Sequence, residues 1–312
     1  MEERIQEILN QEGTKTRKIQ QLILLGLTRT QIAQLVTNGN YGFVQNVYAK
    51  MKAQGLLNMT DAEATERGFN RRFGVEFEAY NVDRNVLCDA LNEAGIFTII
   101  ESYNHTTRRH WKIVTDSSIR GNKGFELVSP ILQGEAGITE MKKVCEILKQ
   151  CGAKVNLSCG THVHIDAHSI NLGSWKRIYI NYARLEKVID DFMPKSRKGN
   201  NNYYTKGFST MTNFEEKISN ARSLVEIDNF FGSRYFKINP KSYARHNTIE
   251  FRQHSGTVEF EKISNWVRFL GNLITFSEDN LVTDKSLEGL AEFNSRGIMN
   301  YLRHRTNKLK TR

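Results

Sequence analysis

The segment CGTHVHID, residues 159–166, carries ionisable side chains at every second position from His162 onward. Side chains on a β-strand point alternately to opposite faces, so His162, His164 and Asp166 would share one face. Such a row costs free energy unless water, a metal ion or a polar ligand satisfies it. The pattern predicts a strand with one apolar face in a core and one polar face toward solvent or a binding site.

Two further segments repeat this alternation. In RRFGVEFEAY, Glu76 and Glu78 would lie on one face, with their Cα atoms roughly 6 to 7 Å apart along the strand. In NTIEFRQHSG, the shared face would carry Glu250, Arg252 and His254. Three strands thus each carry an ionisable stripe, and this recurrence favours a functional role over an exposed polar face.

Length and composition indicate an ordinary globular protein. The chain has 312 residues, of which 39% are hydrophobic and 25% charged, enough for one large domain and a small one. No apolar run approaches the roughly 18 residues that span a membrane, and the charged first residues do not resemble a signal peptide. The four cysteines lack CxxC spacing and disulfide density. We therefore expect a cytoplasmic protein with reduced thiols and no membrane partner.

The net charge of +10 is concentrated at the two ends of the chain. Residues 1–57 hold seven Lys or Arg against four Glu, and residues 296–312 hold six basic residues and no acidic one. The middle of the chain is nearly neutral, so its carboxylates can serve a site. We interpret residues 281–312 as a basic helical tail that is solvated or faces nucleic acid.

The first 57 residues are expected to form three helices. Thr14 caps the first and Thr28 the second, and a turn at NGNYG precedes the third, which ends at Gly55. Apolar residues at three- and four-residue steps predict their core: Ile19, Leu22, Ile23, Ile32, Leu35, Val44, Val47, Tyr48 and Met51. The segment resembles a helix-turn-helix of the winged-helix kind. Its candidate DNA contacts are Arg29, Gln31, Gln45, Asn46, Lys50 and Lys52. Such modules also bind proteins or dock on their own chain, so DNA is one of three possible partners.

The polar residues 58–70 have no apolar period and read as a linker. After them, strands are predicted near residues 71–80, 97–102, 110–115, 125–128, 159–166 and 247–256, and helices near 83–93, 138–150 and 174–192. Strands with separate helices favour an α+β class. The loop at 196–207 is either a connector or a lid over an anionic ligand.

A set of motifs carries a family resemblance. FGVEFE, WKIVTDSSI, FELVSPIL, VNLSCGTHVHID, TIEFRQHSGT and NWVRFL occur in an order and spacing that resemble the amidoligase family, across roughly residues 71–275. This family is related to glutamine synthetase and glutamate–cysteine ligase. The resemblance implies a curved, mostly antiparallel sheet with helices outside it, in a catalytic domain at 71–280. It also implies an enzyme that uses ATP to phosphorylate a carboxylate and forms an amide with an amine.

The same resemblance assigns roles to individual residues. It implies Mg²⁺ or Mn²⁺ ligands at Glu76, Glu78, Glu126, His162 and Glu250. Glu78, His164 and Arg252 would bind the nucleotide, with Arg252 on the transferring phosphoryl group. Glu76, Glu250 and Arg252 would be the catalytic residues. Asp166 would orient a histidine rather than bind a metal ion.

Substrate contacts are less defined by the sequence. Ser129 follows the FELV strand, and Lys237, Lys241 and Arg245 precede the strand that holds Glu250. We take Ser129, Lys237 and Arg245 as candidates for binding substrate, although the lysines and Arg245 fit a solvated loop equally well. The carboxylate and the amine are not identified, and an amino acid, a peptide or a protein side chain all remain open.

Two other functions fit the same residues. A metal-dependent hydrolase could use His162, His164 and Asp166 with the glutamates and no ATP. A DNA-binding regulator could keep the ligase-like domain only to sense a nucleotide or amino acid. Zinc or iron in the purified protein would favour the hydrolase, whereas intact ionisable stripes on three strands argue against a sensor that has lost its chemistry.

Overall fold

The chain forms two compact units, and the computed structural model describes residues 2–10, 14–25, 27–53, 69–209 and 211–311. The predicted linker, residues 58–70, lies outside the described residues except for its last two, as does Gly55. The smaller unit contains four described helices: α1 (Glu2–Asn10), α2 (Lys15–Leu24), α3 (Arg29–Thr37) and α4 (Tyr41–Ala53). Helix α1 was not among the expected helices.

Side-chain caps begin two of these helices as the sequence predicts. Thr14 accepts a hydrogen bond from the N–H of Arg17, and Thr28 forms a reciprocal capping box with Gln31. Leu35 is 44% exposed, so its predicted place in the core is wrong. Helix α3 buries Ile32 and turns the i+4 residue Val36 toward the core instead. Residues 2–53, as far as they are described, contain helices only and so show no wing.

The candidate DNA-contacting residues differ in whether their side chains are exposed or already engaged within the unit. Arg29 is buried, lies over the ring of Tyr48 and donates from Nη1 to Gln45 Oε1 at 2.6 Å, so both polar side chains are engaged within the unit. Asn46 and Lys50 are exposed, and the side chain of Lys52 lies outside the described atoms. DNA binding by this unit stays a prediction.

The larger unit is built on one eight-stranded sheet in the order β2-β3-β4-β1-β6-β8-β7, with β5 also paired to β1. All pairs are antiparallel except β2 with β3. The strands are β1 (Arg72–Ala79), β2 (Thr98–Ile100), β3 (Trp111–Val114), β4 (Phe125–Val128), β5 (Leu132–Gln133), β6 (Thr161–Asp166), β7 (Ile238–Asn239) and β8 (Thr248–Phe251). This is an α+β fold with a mostly antiparallel sheet, as the sequence predicts.

Helices connect the strands and complete the unit: α5 (Arg84–Glu93), α6 (Gly134–Gln150), α7 (Leu172–Asp191), α8 (Phe214–Asn220), α9 (Leu224–Phe231), α10 (Ser242–His246), α11 (Phe260–Ser277) and α12 (Arg296–Lys310). Two 3₁₀ turns lie at Lys195–Arg197 and Glu288–Glu292. The predicted boundaries differ by a few residues; α6, for example, begins at Gly134 rather than 138. No helix in the described part of the chain is long and apolar enough to cross a membrane.

The apolar face of the sheet is buried in a single large core. Phe73, Val75 and Phe77 from β1 and Val163 and Ile165 from β6 are almost wholly buried there with residues of α6, α7 and α11. These residues alternate with the ionisable ones, as the period of a strand requires. Burial of this face therefore fixes the opposite face as the polar one.

The predicted basic tail contains helix α12, and one side of this helix belongs to the same core. Ile298, Met299 and Leu302 are buried with the residues of the sheet and helices, while Lys308 and Lys310 are exposed. An amphipathic period of three to four residues explains this division. The helix thus contributes to the stability of the larger unit.

We expect Leu302→Ala to lower the free energy of unfolding by about 2–5 kcal/mol, because it removes buried methyl groups and leaves a cavity. Leu281, which is 40% exposed, supplies the control, and Leu281→Ala should change that free energy by less than about 0.5 kcal/mol. Urea denaturation of both variants makes the comparison. Equal effects would show that α12 does not pack as described.

Candidate active site

The register of the sheet brings the ionisable side chains of four strands onto one face. Residues directly opposite each other in an antiparallel pair point to the same side of the sheet. The opposed pairs are Glu76 with His162, Glu78 with Glu126, and His164 with Glu250. These six residues form one contiguous patch, which we call the carboxylate cluster.

His162 lies at the centre of the carboxylate cluster. Its Nδ1 atom is 3.0 Å from Glu76 Oε2 and 3.9 Å from Glu250 Oε1, and its Nε2 atom is 3.5 Å from Glu78 Oε1. Two groups around it could hold a metal ion, with all ligand atoms within 4.8 Å of one another. The first trio is Glu76, His162 and Glu250, and the second trio is Glu78, Glu126 and His162.

His164 borders the first trio without belonging to it. Its Nδ1 atom is 2.9 Å from the Thr248 hydroxyl oxygen, and its Nε2 atom is 3.3 Å from Glu76 Oε1. Burial lowers the pKa of His164, but the hydrogen bond and charge of Glu76 outweigh it and leave the pKa raised. One nitrogen is thus held by a hydroxyl group while the other contacts a carboxylate.

Nearby cations and hydrogen bonds keep two carboxyl groups ionised despite burial. Burial raises the pKa of Glu76, but hydrogen bonds from His162 and His164 bring it well below its usual range. Burial also raises the pKa of Glu250, and the charge of Arg252 reverses this and lowers it to about 2. Arg252 Nη1 donates to Glu250 Oε1 at 2.5 Å. Arg252 thus lies beside the first trio.

Glu126 behaves in the opposite way. Burial raises the pKa of its carboxyl group well above the usual range, and the charges of Glu76 and Glu78 raise it further. Four carboxylates therefore share more negative charge than the side chains around them compensate. This excess, with oxygen donors outnumbering imidazole nitrogens, fits a hard divalent cation such as Mg²⁺ or Mn²⁺.

A cavity of about 150 Å³ opens beside the cluster. It extends along β1 from Glu76 past Gly74 to Arg72, and residues 104–107 form one wall. The Thr107 hydroxyl lies 3.3 Å from His246 Nδ1, which joins this wall to the segment before β8. A small molecule in the cavity would thus lie next to His164 and the first trio.

A family model described as "putative amidoligase enzyme" matches residues 69–274, a range that contains every member of the cluster. The chain belongs to this family. The description of this family names a ligase-type enzyme. No curated protein sequence matches the chain.

Two solved structures resemble the fold at low identity. A bifunctional glutathione synthetase from Pasteurella multocida aligns with 10% identity and a TM-score of 0.41 over 80% of this chain and 48% of its own. A novel glutamine synthase homolog aligns with 10% identity and a TM-score of 0.42 over 80% of this chain and 68% of its own. The amidoligase chain thus spans about half the length of the first of these structures.

The predicted substrate residues of this amidoligase are placed very differently. Ser129 lines the cavity, although its hydroxyl already accepts from the N–H of Val75 and donates to the carbonyl of Pro130. Arg245 is exposed. The pKa of His105, in the cavity wall, is lowered mainly by burial and further by the charge of Arg245. Arg245 therefore lies close enough to the cavity for its charge to act there.

Lys237 does not face the cavity, so its prediction as a substrate-binding residue is wrong. It is fully buried, and its ammonium group lies 2.7 Å from Glu186 Oε1 and 2.7 Å from Asp190 Oδ1, both on α7. A buried ammonium needs such paired carboxylates, and no local spacing indicates partners that lie about fifty residues away in the chain. Lys237 is a structural ion-pair residue.

Two other expectations fail, one because a strand ends early and one because a carboxylate is engaged elsewhere. His254 does not share the face of Glu250, since β8 ends at Phe251 and the His254 ring lies 5.8 Å from the ring of Trp266. Burial lowers the pKa of His254 to about 3. Asp166 lines the cavity, but its carboxylate accepts the N–H of His168 and is not seen to orient a cluster histidine.

The sequence also missed residues that the fold brings to the site. His105 and His246 line the cavity, and the His246 ring lies 5.7 Å from that of His164. Lys112 lines it too, and its ammonium group holds the wall by donating to Asn104 and to the carbonyl of Thr106. They lie on three separate elements, namely a loop, strand β3 and helix α10, so no local spacing relates them.

We expect Lys237→Met to lower the free energy of unfolding by about 3–5 kcal/mol, because it leaves Glu186 and Asp190 buried without a counter-charge. Lys241→Met is the matched control, since Lys241 has a half-exposed side chain 3.7 Å from Asp228. It should change the free energy of unfolding by less than about 0.5 kcal/mol. Chemical denaturation provides both values. A fully stable Lys237→Met protein would contradict the ion-pair assignment.

Removing the charge of Glu126 should separate stability from metal binding. Because the pKa of Glu126 is raised, the metal-free parent protein becomes more stable as the pH falls through that pKa. Glu126→Gln should therefore raise the free energy of unfolding at neutral pH by about 1 kcal/mol. It should also abolish the gain in stability at lower pH. The same change should weaken Mn²⁺ binding at least about tenfold. Unfolding in a chelator and Mn²⁺ titration test the two effects.

The exposed Glu146 serves as the control, and Glu146→Gln should alter neither quantity. A Glu126→Gln protein that is less stable than the parent in the chelator would show that Glu126 is not under charge repulsion.

Proposed function

We propose that the protein is an ATP-dependent carboxylate–amine ligase that forms an amide through an acyl-phosphate intermediate. The observation that supports this most directly is the arrangement of two potential metal trios around His162, with Arg252 beside one of them. Moving a γ-phosphoryl group onto a carboxylate brings several negative charges together. A site that joins two cation-binding groups and an arginine can neutralise them.

The two trios differ in how their carboxyl groups are ionised before a cation binds. Glu76 and Glu250 of the first trio are kept ionised, whereas Glu126 of the second trio has a raised pKa and would gain its full charge once a cation is bound. Mg²⁺ or Mn²⁺, when bound, screens the phosphate oxygens of ATP and orients the γ-phosphoryl group. Glu78 and His164 would lie next to the phosphates, and Arg252 would hold oxygens of the transferring group.

The chemistry balances in two steps. A substrate carboxylate oxygen attacks the γ-phosphorus, and the bond to the bridging oxygen breaks as ADP leaves with its electron pair. The amine then attacks the acyl carbon, phosphate departs with the C–O electron pair, and the proton lost by the nitrogen goes to the departing phosphate. In the cavity beside His164 the acyl phosphate would be held away from bulk water.

The substrates would enter through the cavity. Ser129 is in its wall and Arg245 acts on it by charge, so both remain candidates for contacts with the carboxylate or the amine compound. An amino acid, a peptide or a protein side chain would each supply the groups required. The smaller unit, with Asn46 and Lys50 exposed on α4, is a candidate for binding DNA.

Nucleotide turnover tests the proposal. The purified protein should release ADP with Mg²⁺ when given pools of carboxylates and amines, and amide product should appear with it. Hydrolysis of a substrate without nucleotide, or zinc or iron bound in place of Mg²⁺, would favour a hydrolase instead. Nucleotide binding without turnover would favour a sensor.

Glu250 and Arg252 have opposite tasks in this mechanism. Glu250→Gln keeps the shape and removes a charge from the first trio, so the Mg²⁺ requirement should rise and kcat should fall on the order of a hundredfold or more. Arg252→Lys keeps a positive charge but loses the planar fork, so ATP should still bind while phosphoryl transfer slows similarly. ADP release and equilibrium ATP binding measure both.

Glu215→Gln is the control, because Glu215 pairs with Arg184 outside the cluster and should leave kcat unchanged. Near-normal amide formation by both Glu250→Gln and Arg252→Lys would show that the cluster is not the ligase site.

A further inference from the structure

A second buried arginine has a hydrogen-bond donor that no residue in the described part of the chain satisfies. Arg197, in the 3₁₀ turn after α7, is 3% exposed. Its Nη2 atom donates to the carbonyl of Cys159 at 2.6 Å, but its Nε atom has no hydrogen-bond partner among the described residues. A guanidinium group stays charged and carries five N–H donors, so burying part of it unpaired costs free energy. Such a group points to a missing acceptor.

The guanidinium of Arg197 faces the second trio across a gap at Gly160. A Cβ atom on Gly160 would lie 3.5 Å from Arg197 Nη1, 3.4 Å from Glu78 Oε2 and 3.0 Å from His162 Nε2. The φ angle of Gly160 is not positive, so the glycine answers a need for space rather than for a special backbone conformation. The N–H of Gly160 donates to Glu78 Oε2 at 2.6 Å, which fixes one side of the gap.

A buried polar network holds Arg197 in this place. Gln253 Nε2 donates to the carbonyl of Arg197 at 3.2 Å and to Asp190 Oδ1 at 2.6 Å. Asp190 also accepts from Lys237 and from the N–H of Gly199, two residues beyond Arg197. Networks of this kind fix a single geometry at a cost in desolvation. Here they preorganise the arginine before any ligand arrives.

Arg197 and Arg252 repel each other when no anion is bound near them. Burial lowers the pKa of Arg197, the charge of Glu78 raises it, and the charge of Arg252 lowers it again. Arg252 also has a buried Nε atom without a partner among the described residues. An anion that reaches both guanidinium groups would satisfy their donors and remove the repulsion.

We propose that Arg197 is a second anion-binding residue of the active site, which donates from Nη1, the nitrogen beside Gly160 and the second trio, to a non-bridging oxygen of the transferring phosphoryl group. This rests on the proposed ligase function. As the carboxylate oxygen bonds to the γ-phosphorus and the bond to ADP breaks, Arg197 stabilises the charge and exchanges no proton. Arg252 acts from the first trio and Arg197 from the second.

The test compares Arg197→Met with Arg177→Met. Arg177 also donates to backbone carbonyls, those of Ser277 and Glu278, but lies outside the carboxylate cluster. Dissociation constants are measured with Mg²⁺ for adenylyl imidodiphosphate, a non-hydrolysable ATP analogue, and for adenosine, which lacks phosphate. We expect Arg197→Met to weaken the analogue about tenfold or more and adenosine by less than about twofold, with kcat down on the order of a hundredfold.

A merely structural role would weaken both ligands together, and the Arg177→Met protein should change neither. If Arg197→Met does not fold, Arg197→Lys carries the comparison, because Lys keeps the charge without the planar fork.

The outcomes separate the inference from the function on which it rests. A parent that forms ADP, with variants that bind the analogue and turn over as the parent does, overturns the role of Arg197 and leaves the ligase function standing. A parent that forms no ADP and binds neither the analogue nor pyrophosphate with Mn²⁺ overturns the ligase function, and the inference with it.

Discussion

Repulsion among four carboxylates is the constraint around which the larger unit is arranged. Two like charges about 4 Å apart cost roughly 4 kcal/mol at an effective dielectric constant of 20, and Glu76, Glu78, Glu126 and Glu250 meet in one patch. The strands cannot relieve this by slipping, because a shift of one residue would bring the opposite, apolar face into the cavity. Burial of Phe73, Val75 and Phe77 thus holds the charges together.

Two irregular segments are each tied down by a buried lysine. Lys112 holds the cavity wall through Asn104 and Thr106, and Lys237 holds the segment after α7 through Glu186 and Asp190. A buried ammonium is costly unless several acceptors surround it, so each anchor tolerates only one arrangement of its loop. Side chains on irregular segments can then be placed as firmly as those on strands.

The sequence predicts the strands of the site better than the loops. Alternation with a period of two identifies β1, β6 and β8 and the face that each presents, because that period is a local property. It does not reveal that β4 lies next to β1, so Glu126 came only from the family resemblance. It also misplaces His254, since nothing local marks where a strand ends.

Arg197 and Lys237 show why the rest of the site cannot be found from spacing. Both lie among basic residues, where a solvated loop is the ordinary expectation, and both are buried. What distinguishes them is the set of partners: Lys237 meets two carboxylates from α7, whereas Arg197 meets one carbonyl oxygen and an open gap. The first is satisfied and therefore structural. Arg197 is held rigidly and keeps an unsatisfied N–H donor, as a preorganised ligand-binding residue does before its ligand binds.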